Sequence, residues 1–304
     1  MSISSNPLEA VERKIEQFID NLDDAGIKSL YAKLPHGKRL RAKLILKIAG
    51  ESLKVVKTAS IVEMIHAASL LHDDVIDDAY TRRGKPSLNA IYGSKTAIMF
   101  GDILYSKGFY ELNNIDKEVS LVISNAVVQL SLGERNDIIL SNSFNHDRDK
   151  YLKMIYQKTA SLMEASAEAA AILAGKSREP YRIYGRNLGV AFQMIDDILD
   201  ITQDSVQLGK PAMHDFAEGK ATLPYIYLYE ALETEEKQHL LNLHKKTINA
   251  KSAQWISEMM DRHNIVTKCY IEAKELIEEA ITLMRAEGEE SLEQIATAMI
   301  DRSF

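Results

Sequence analysis

Two short acidic patterns stand out by their spacing. Asp73-Asp74-Val75-Ile76-Asp77, with Asp78 beside it, and Asp196-Asp197-Ile198-Leu199-Asp200 both place carboxylates at positions i, i+1 and i+4. On a helix the first and third then share a face one turn apart, with the second beside them. A charge run usually marks a solvated face. Here, however, each pattern follows a long apolar stretch, Ile61 to Leu71 and Leu188 to Ile195, where a helix is expected to be buried. Like charges at i, i+4 cost a few tenths of a kcal/mol, and more when desolvated. Carboxylates so placed require cations. Hard divalent ions with oxygen ligands fit best, Mg2+ above all, because it binds through a few carboxylates plus substrate phosphates. His36, His66 and His72 have no cysteines near them to complete a zinc site.

Cationic residues accompany the triplets. Arg82-Arg83-Gly84-Lys85 follows the first, and Gly37-Lys38-Arg39-Leu40-Arg41 precedes it. Lys158, Lys210 and Lys220 come later in the chain. Any one of these alone reads as a surface residue. Together with the triplets they suggest one anionic substrate held through metal ions and a second held by cations, since Arg forks match phosphate oxygens.

The elements that must position these residues read as helices. The 304 residues include only 14 Gly and 6 Pro, too few turn formers for a β-rich chain of this length. Helical spacing marks Leu8 to Leu22, Leu40 to Ala49, Thr58 to Asp78, Ile98 to Leu112, Lys117 to Gly133, Lys150 to Ala174 and Tyr181 to Ile201. Leu223 to Ala231, Thr234 to Leu243, Ser252 to His263, Ile265 to Glu287 and Ser291 to Ile300 follow. The apolar Thr58 to Asp78 segment reads as a central helix. Tyr31 to Lys38, Tyr80 to Gly93, Ser141 to Asp149 and Gln203 to Thr222 read as loops, and no stretch alternates like a strand. With no linker-like or low-complexity run, residues 1–304 are expected to form one domain.

The net charge of −7 argues against a nucleic-acid partner. The single cysteine, Cys269, permits no intrachain disulfide, which suits a reducing, cytoplasmic setting. The N-terminal residues lack a signal-peptide apolar region, and no apolar run reaches the ~18 residues of a membrane span.

With these landmarks together, the sequence resembles the trans-polyprenyl diphosphate synthases over essentially its whole length. The landmarks occur in order: GKRLR at 37–41, His66 before the DDxxD at 73–77, RRG at 82–84, Lys158-Thr159, Phe192-Gln193 leading into DDxxD at 196–200, GKP at 209–211 and EGKATLP at 218–224. The resemblance implies an all-α, single-domain antiparallel helical barrel around a deep central cavity, and a homodimer. Asp73, Asp74, Asp77, Asp196 and Asp200 would bind Mg2+, with Asp197 in support. Arg82, Lys158, Lys210 and Lys220 would hold an allylic diphosphate. Lys38, Arg41, His66 and Arg83 would hold isopentenyl diphosphate. Lys158, Thr159 and Gln193 would act at the reacting carbons.

Chain length is the finer question. Short-chain relatives often carry aromatics four and five residues before the first Asp, where this chain has Ser69 and Ala68. With Ile65 one turn deeper, these small residues favour a longer product of the kind used for quinone side chains. A geranylgeranyl or farnesyl diphosphate synthase is the alternative. A terpene cyclase would replace the second DDxxD with an Asn/Asp, Ser/Thr, Glu series, and a non-catalytic partner subunit would have lost motif residues. The chain departs from the family pattern at Ala42, where Pro is common, at Gly133 to Asp137, which lacks a Gln, and at Met213-His214.

Overall fold

The computed structural model describes residues 6–35, 37–82, 84–202 and 213–301. The chain clusters into two compact units, 1–128 with 162–182, and 129–161 with 183–304. The all-α expectation holds. Among the described residues the only strands are two-residue segments, β1 (Thr81–Arg82) and β2 (Lys85–Pro86), paired antiparallel in the loop after the first triplet. That hairpin corrects the reading of no strand. It is too short to alternate, and Gly84 at φ +72° makes its turn.

The first unit is built around α4 (Leu53–Ile76). Ser52 caps α4, its side chain accepting from the Val55 amide, so the helix begins earlier than its apolar run suggests. Every residue from Thr58 to Ile65 is buried, as a central helix requires. α1 (Pro7–Asp20) and α3 (Leu40–Ala49) pack on it, and α6 (Ser94–Leu112) packs most extensively. Gly101 lets α6 approach, whereas at Gly108, two turns on, a Cβ would find ordinary packing space. A Cβ on Gly101 would meet the His72 ring at 2.4 Å, and one on Gly108 would touch Ile61 and Ile65 at 3.6 Å. Two short helices, α2 (Ala25–Tyr31) and α5 (Leu88–Tyr92), were not legible as such.

α7 (Lys117–Leu140) continues a full two turns past Gly133. α8 (Arg148–Ile155), in the second unit, runs through a π turn, Tyr156–Ala160, into α9 (Ser161–Ala174), which from Leu162 on belongs to the first unit. α10 (Arg178–Thr202) carries the second triplet. The short α11 (His214–Ala217) is followed by α12 (Leu223–Ala231), α13 (Thr234–Leu243), α14 (Ala250–Arg262), α15 (Ile265–Ala286) and α16 (Glu293–Ile300). α12 and α14 pack against α15, whose buried stripe is Cys269, Ala273, Ile277, Ala280 and Met284. No described helix is long and apolar enough to cross a membrane.

Candidate active site

The first triplet occupies the last turn of α4. Asp73 and Asp77 are half-buried and one turn apart, the Asp77 amide donating to the Asp73 carbonyl at 2.8 Å. Asp74 is only 5% exposed and faces the protein. Arg82 donates to its Oδ1 from Nε at 2.8 Å and from Nη2 at 2.7 Å. Asn89 donates to the Asp74 and Ala79 carbonyls, which ties the hairpin loop back onto the helix end.

The second triplet divides in the same way. Asp196 is half-buried, whereas Asp197 and Asp200 are each 2% exposed. Asp197 accepts from the Tyr151 hydroxyl at Oδ2 and from the Gln193 amide at Oδ1, 2.8 Å. Burial, and next the charges of Asp215 and Asp196, push the Asp197 carboxyl well above the usual range, against the pull of those two hydrogen bonds. Asp200 accepts from the Asp215 amide at 3.3 Å, and its carbonyl accepts from Met213, which holds a left-handed φ of +58°. In both motifs the middle Asp is thus an internal group, and the first Asp is half-buried. Among the described residues, no three His, Cys, Asp or Glu converge closely enough to hold a metal ion unaided.

Lys158 and Thr159 sit on the π turn. Lys158 pairs with Glu134 at 2.9 Å and Asp137 at 2.6 Å, both on α7. Thr159 donates to Gln193 Oε1 at 2.8 Å. Gln157 accepts from Asn136 at 2.7 Å and donates to Gln129 at 3.0 Å, so α7 zips along the whole turn. Gly133, in the middle of this stripe, leaves room for the π-turn backbone. Such turns often mark functional positions because they re-aim side chains within a helix. Sequence reasoning named Lys158, Thr159 and Gln193 but missed Tyr151 and the acidic partners of Lys158. A lone tyrosine among the charged residues of α8 carries no signal of a buried partner.

The cation cluster before α3 is also built. Arg39 occupies the α3 N-cap at φ +52° and pairs with Glu12 at 2.6 Å and the buried Glu63 at 3.5 Å. Arg41 is half-buried, and its enclosed Nε has no hydrogen-bond partner. Burial pulls its guanidinium pKa down, and the Glu63 charge opposes that shift. A cation so placed is suited to an anionic ligand. Lys38 is exposed and His66 half-buried. Lys220 pairs with Glu218 at 3.0 Å. Ala68 and Ile65 are fully buried on α4, and the Ser69 hydroxyl donates to the His66 carbonyl at 2.9 Å. Arg83 and Lys210 lie outside the described residues.

A helical chain with two such split carboxylate motifs and a helix-borne Lys-Thr pair defines a class, the all-helical isoprenoid synthases. The chain belongs to the polyprenyl synthetase family, whose model matches residues 27–260. It is 37% identical over 240 residues to octaprenyl diphosphate synthase of Escherichia coli, covering 72% of this chain and 74% of that one. It is 33% identical to the short chain isoprenyl diphosphate synthase of Methanocaldococcus jannaschii, covering 80% and 78%. The match to solanesyl-diphosphate synthase 2 of Oryza sativa, 40% identical over 66% of this chain, spans only 53% of the plant protein. The crystal structure of octaprenyl pyrophosphate synthase from Helicobacter pylori superimposes with a TM-score of 0.93 at 39% identity, covering 99% of this chain and 100% of that one.

Proposed function

We propose that the chain is a Mg2+-dependent all-trans prenyltransferase that condenses isopentenyl diphosphate with an allylic diphosphate. The product would be a long polyprenyl chain of the kind used for quinone side chains. The observation that carries the reading is the pair of carboxylate triplets, each with a nearly enclosed middle Asp bonded to neighbouring side chains and a half-buried first Asp. The middle carboxylate helps hold the motif, and the more accessible first carboxylate can be reached by a cation. The donors are all oxygen, which fits Mg2+, and a diphosphate would supply the remaining ligands. Asp73, Asp77 and Asp196 are the foremost candidates to hold it, followed by Asp74 and Asp200. When bound, Mg2+ supplies positive charge against the leaving diphosphate.

The chain's own residues serve the same end. Arg82, Lys158, Lys210 and Lys220 bind the allylic diphosphate and stabilise charge on it as the C–O bond ionises. Lys38, Arg41, His66 and Arg83 orient isopentenyl diphosphate, whose double bond attacks the allylic carbon. A proton then leaves to the departing diphosphate. Apolar walls keep water from trapping the cation. No nucleophilic thiol takes part. Cys269 is buried, and burial pushes its thiol pKa up.

The reading includes one domain over residues 1–304, a cytoplasmic location and a homodimer. Ile98, Met99 and Tyr110 on α6 are exposed and could supply part of a self-complementary face. The deciding experiment incubates the purified chain with labelled isopentenyl diphosphate and an allylic primer. Labelled polyprenyl diphosphate that disappears with EDTA and returns with Mg2+ is expected. A hydrocarbon product, or none, would overturn the reading. Light scattering showing only monomer at micromolar concentration would remove the dimer.

A further inference from the structure

Tyr151 is buried on α8, 1% exposed and two helical turns before Lys158. Packing alone would accept Phe there, because a buried hydroxyl is costly unless it finds a partner. Its partner is Asp197, and the bonding does not stop at that carboxylate. Asp197 takes Tyr151 on one oxygen and Gln193 on the other, and Gln193 takes Thr159 on its carbonyl. The chain of bonds joins α8, α10 and the π turn within one unit.

We propose that Tyr151 is a positioning residue, one that sets Gln193 and Thr159 for prenyl transfer by clamping Asp197. The inference rests on the function proposed above. A glutamine amide can present either its NH2 or its carbonyl to a neighbour. With the Gln193 NH2 donating to the clamped carboxylate, the carbonyl faces Thr159 and engages its hydroxyl proton. The Thr159 oxygen then turns lone pairs, not a proton, away from Gln193. That polarity suits a reaction that develops positive charge on carbon. Without the tyrosine hydroxyl, the Asp197 carboxylate can rotate, and the amide and hydroxyl lose their fixed sense. Asp197 thereby acts as an internal anchor, and its hydrogen bonds are directed at side chains and not at an ion.

The test compares Tyr151→Phe, Gln193→Leu and the double variant in the full-length chain. Turnover gives kcat and KM for each substrate. Calorimetry gives the Kd of inorganic diphosphate in the presence of Mg2+. Tyr151→Phe is expected to lower kcat about tenfold, with both KM values and the diphosphate Kd within about twofold of wild type. The double variant is expected to be no slower than Gln193→Leu. A kcat within about twofold of wild type would overturn the inference. So would a loss of diphosphate affinity as large as the loss of kcat, or losses that multiply in the double variant. Should Tyr151→Phe prove insoluble, Tyr151→Leu also removes the hydroxyl and carries the same expectations. A wild-type chain that binds Mg2+ and diphosphate but forms no prenyl product would refute the proposed function itself, and this inference with it.

Discussion

Gly133 lies directly against the backbone of Lys158. A Cβ on Gly133 would fall 2.3 Å from the Lys158 amide nitrogen and 2.7 Å from the Gln157 carbonyl carbon. No side-chain rotation can relieve a clash with backbone, so either α7 or the π turn would have to move. Gly133→Ala is therefore expected to lose about 1–3 kcal/mol of stability, the usual cost of overpacking. Turnover should fall at least ~10-fold, because the displaced turn carries Lys158 and Thr159. Urea unfolding and steady-state kinetics on the same preparation check both.

The divided triplets predict unequal roles for neighbouring aspartates. Asp73→Ala and Asp196→Ala should each lower turnover by at least ~10²-fold, through lost charge stabilisation. Asp74→Ala should in addition destabilise the fold, because Arg82 would lose a partner that is itself nearly enclosed. Arg82→Ala should act mainly through the allylic substrate, and Lys38→Ala or Arg41→Ala mainly through the KM of isopentenyl diphosphate. Equal dependence on both substrates in all of these variants would refute the division into two diphosphate sites.

Chain length should respond to α4. One helical turn rises ~5.4 Å, close to one extended isoprene unit. Ala68→Phe or Ser69→Phe should shorten the product by several isoprene units and leave the first condensation intact. Chromatography of the dephosphorylated products reads this directly. A wild type that stops at farnesyl diphosphate, or Phe variants with unchanged products, would refute it.

His244 gives a pH-dependent term. Its Nε2 pairs with the Gly219 carbonyl at 2.8 Å, and its ring meets the edges of Phe144 and Phe216 at 5.3 Å. Burial, with Lys245 adding to it, lowers its pKa below the ordinary 6.5, while the hydrogen bond opposes the shift. The unfolded chain then binds more protons than the folded one as pH falls through 6.5, so the contribution is full at neutral pH and is lost in acid. Denaturation midpoints should drop less between pH 7.5 and 5.5 for His244→Gln than for wild type. An identical drop would show that His244 carries none of it.

The parts of this structure legible in the sequence are those fixed by local pattern. α3, α12 and α13 fall where their apolar spacing and flanking polar residues place them, and α4 is buried all round from Thr58 to Ile65 as its composition demands. α2 escaped because its seven residues bury none fully and its start depends on one bond, from the Ile27 amide to Asp24. The π turn escaped for a different reason. Nothing in Tyr156 to Ala160 demands it, and the contacts it makes with Gln129, Gly133, Glu134, Asn136 and Asp137 are long-range. The site shows the same division. Motif spacing reveals the carboxylates, but not that Asp74 and Asp197 are enclosed and bonded, because that depends on Tyr151, Gln193 and Arg82.

The Ala42 amide donates to Glu63 Oε1 at 2.9 Å, inside a core where Glu63 is 3% exposed. Proline ordinarily suits the first turn of a helix. Here the residue has become entangled with its surroundings. Proline would strip the donor from a buried carboxylate and would disfavour the helical backbone of Arg41 before it. The general tolerance of proline in a first helical turn is thus a poor guide at position 42. A proline at position 42 would have to come with a change at Glu63 that removes its need for that donor.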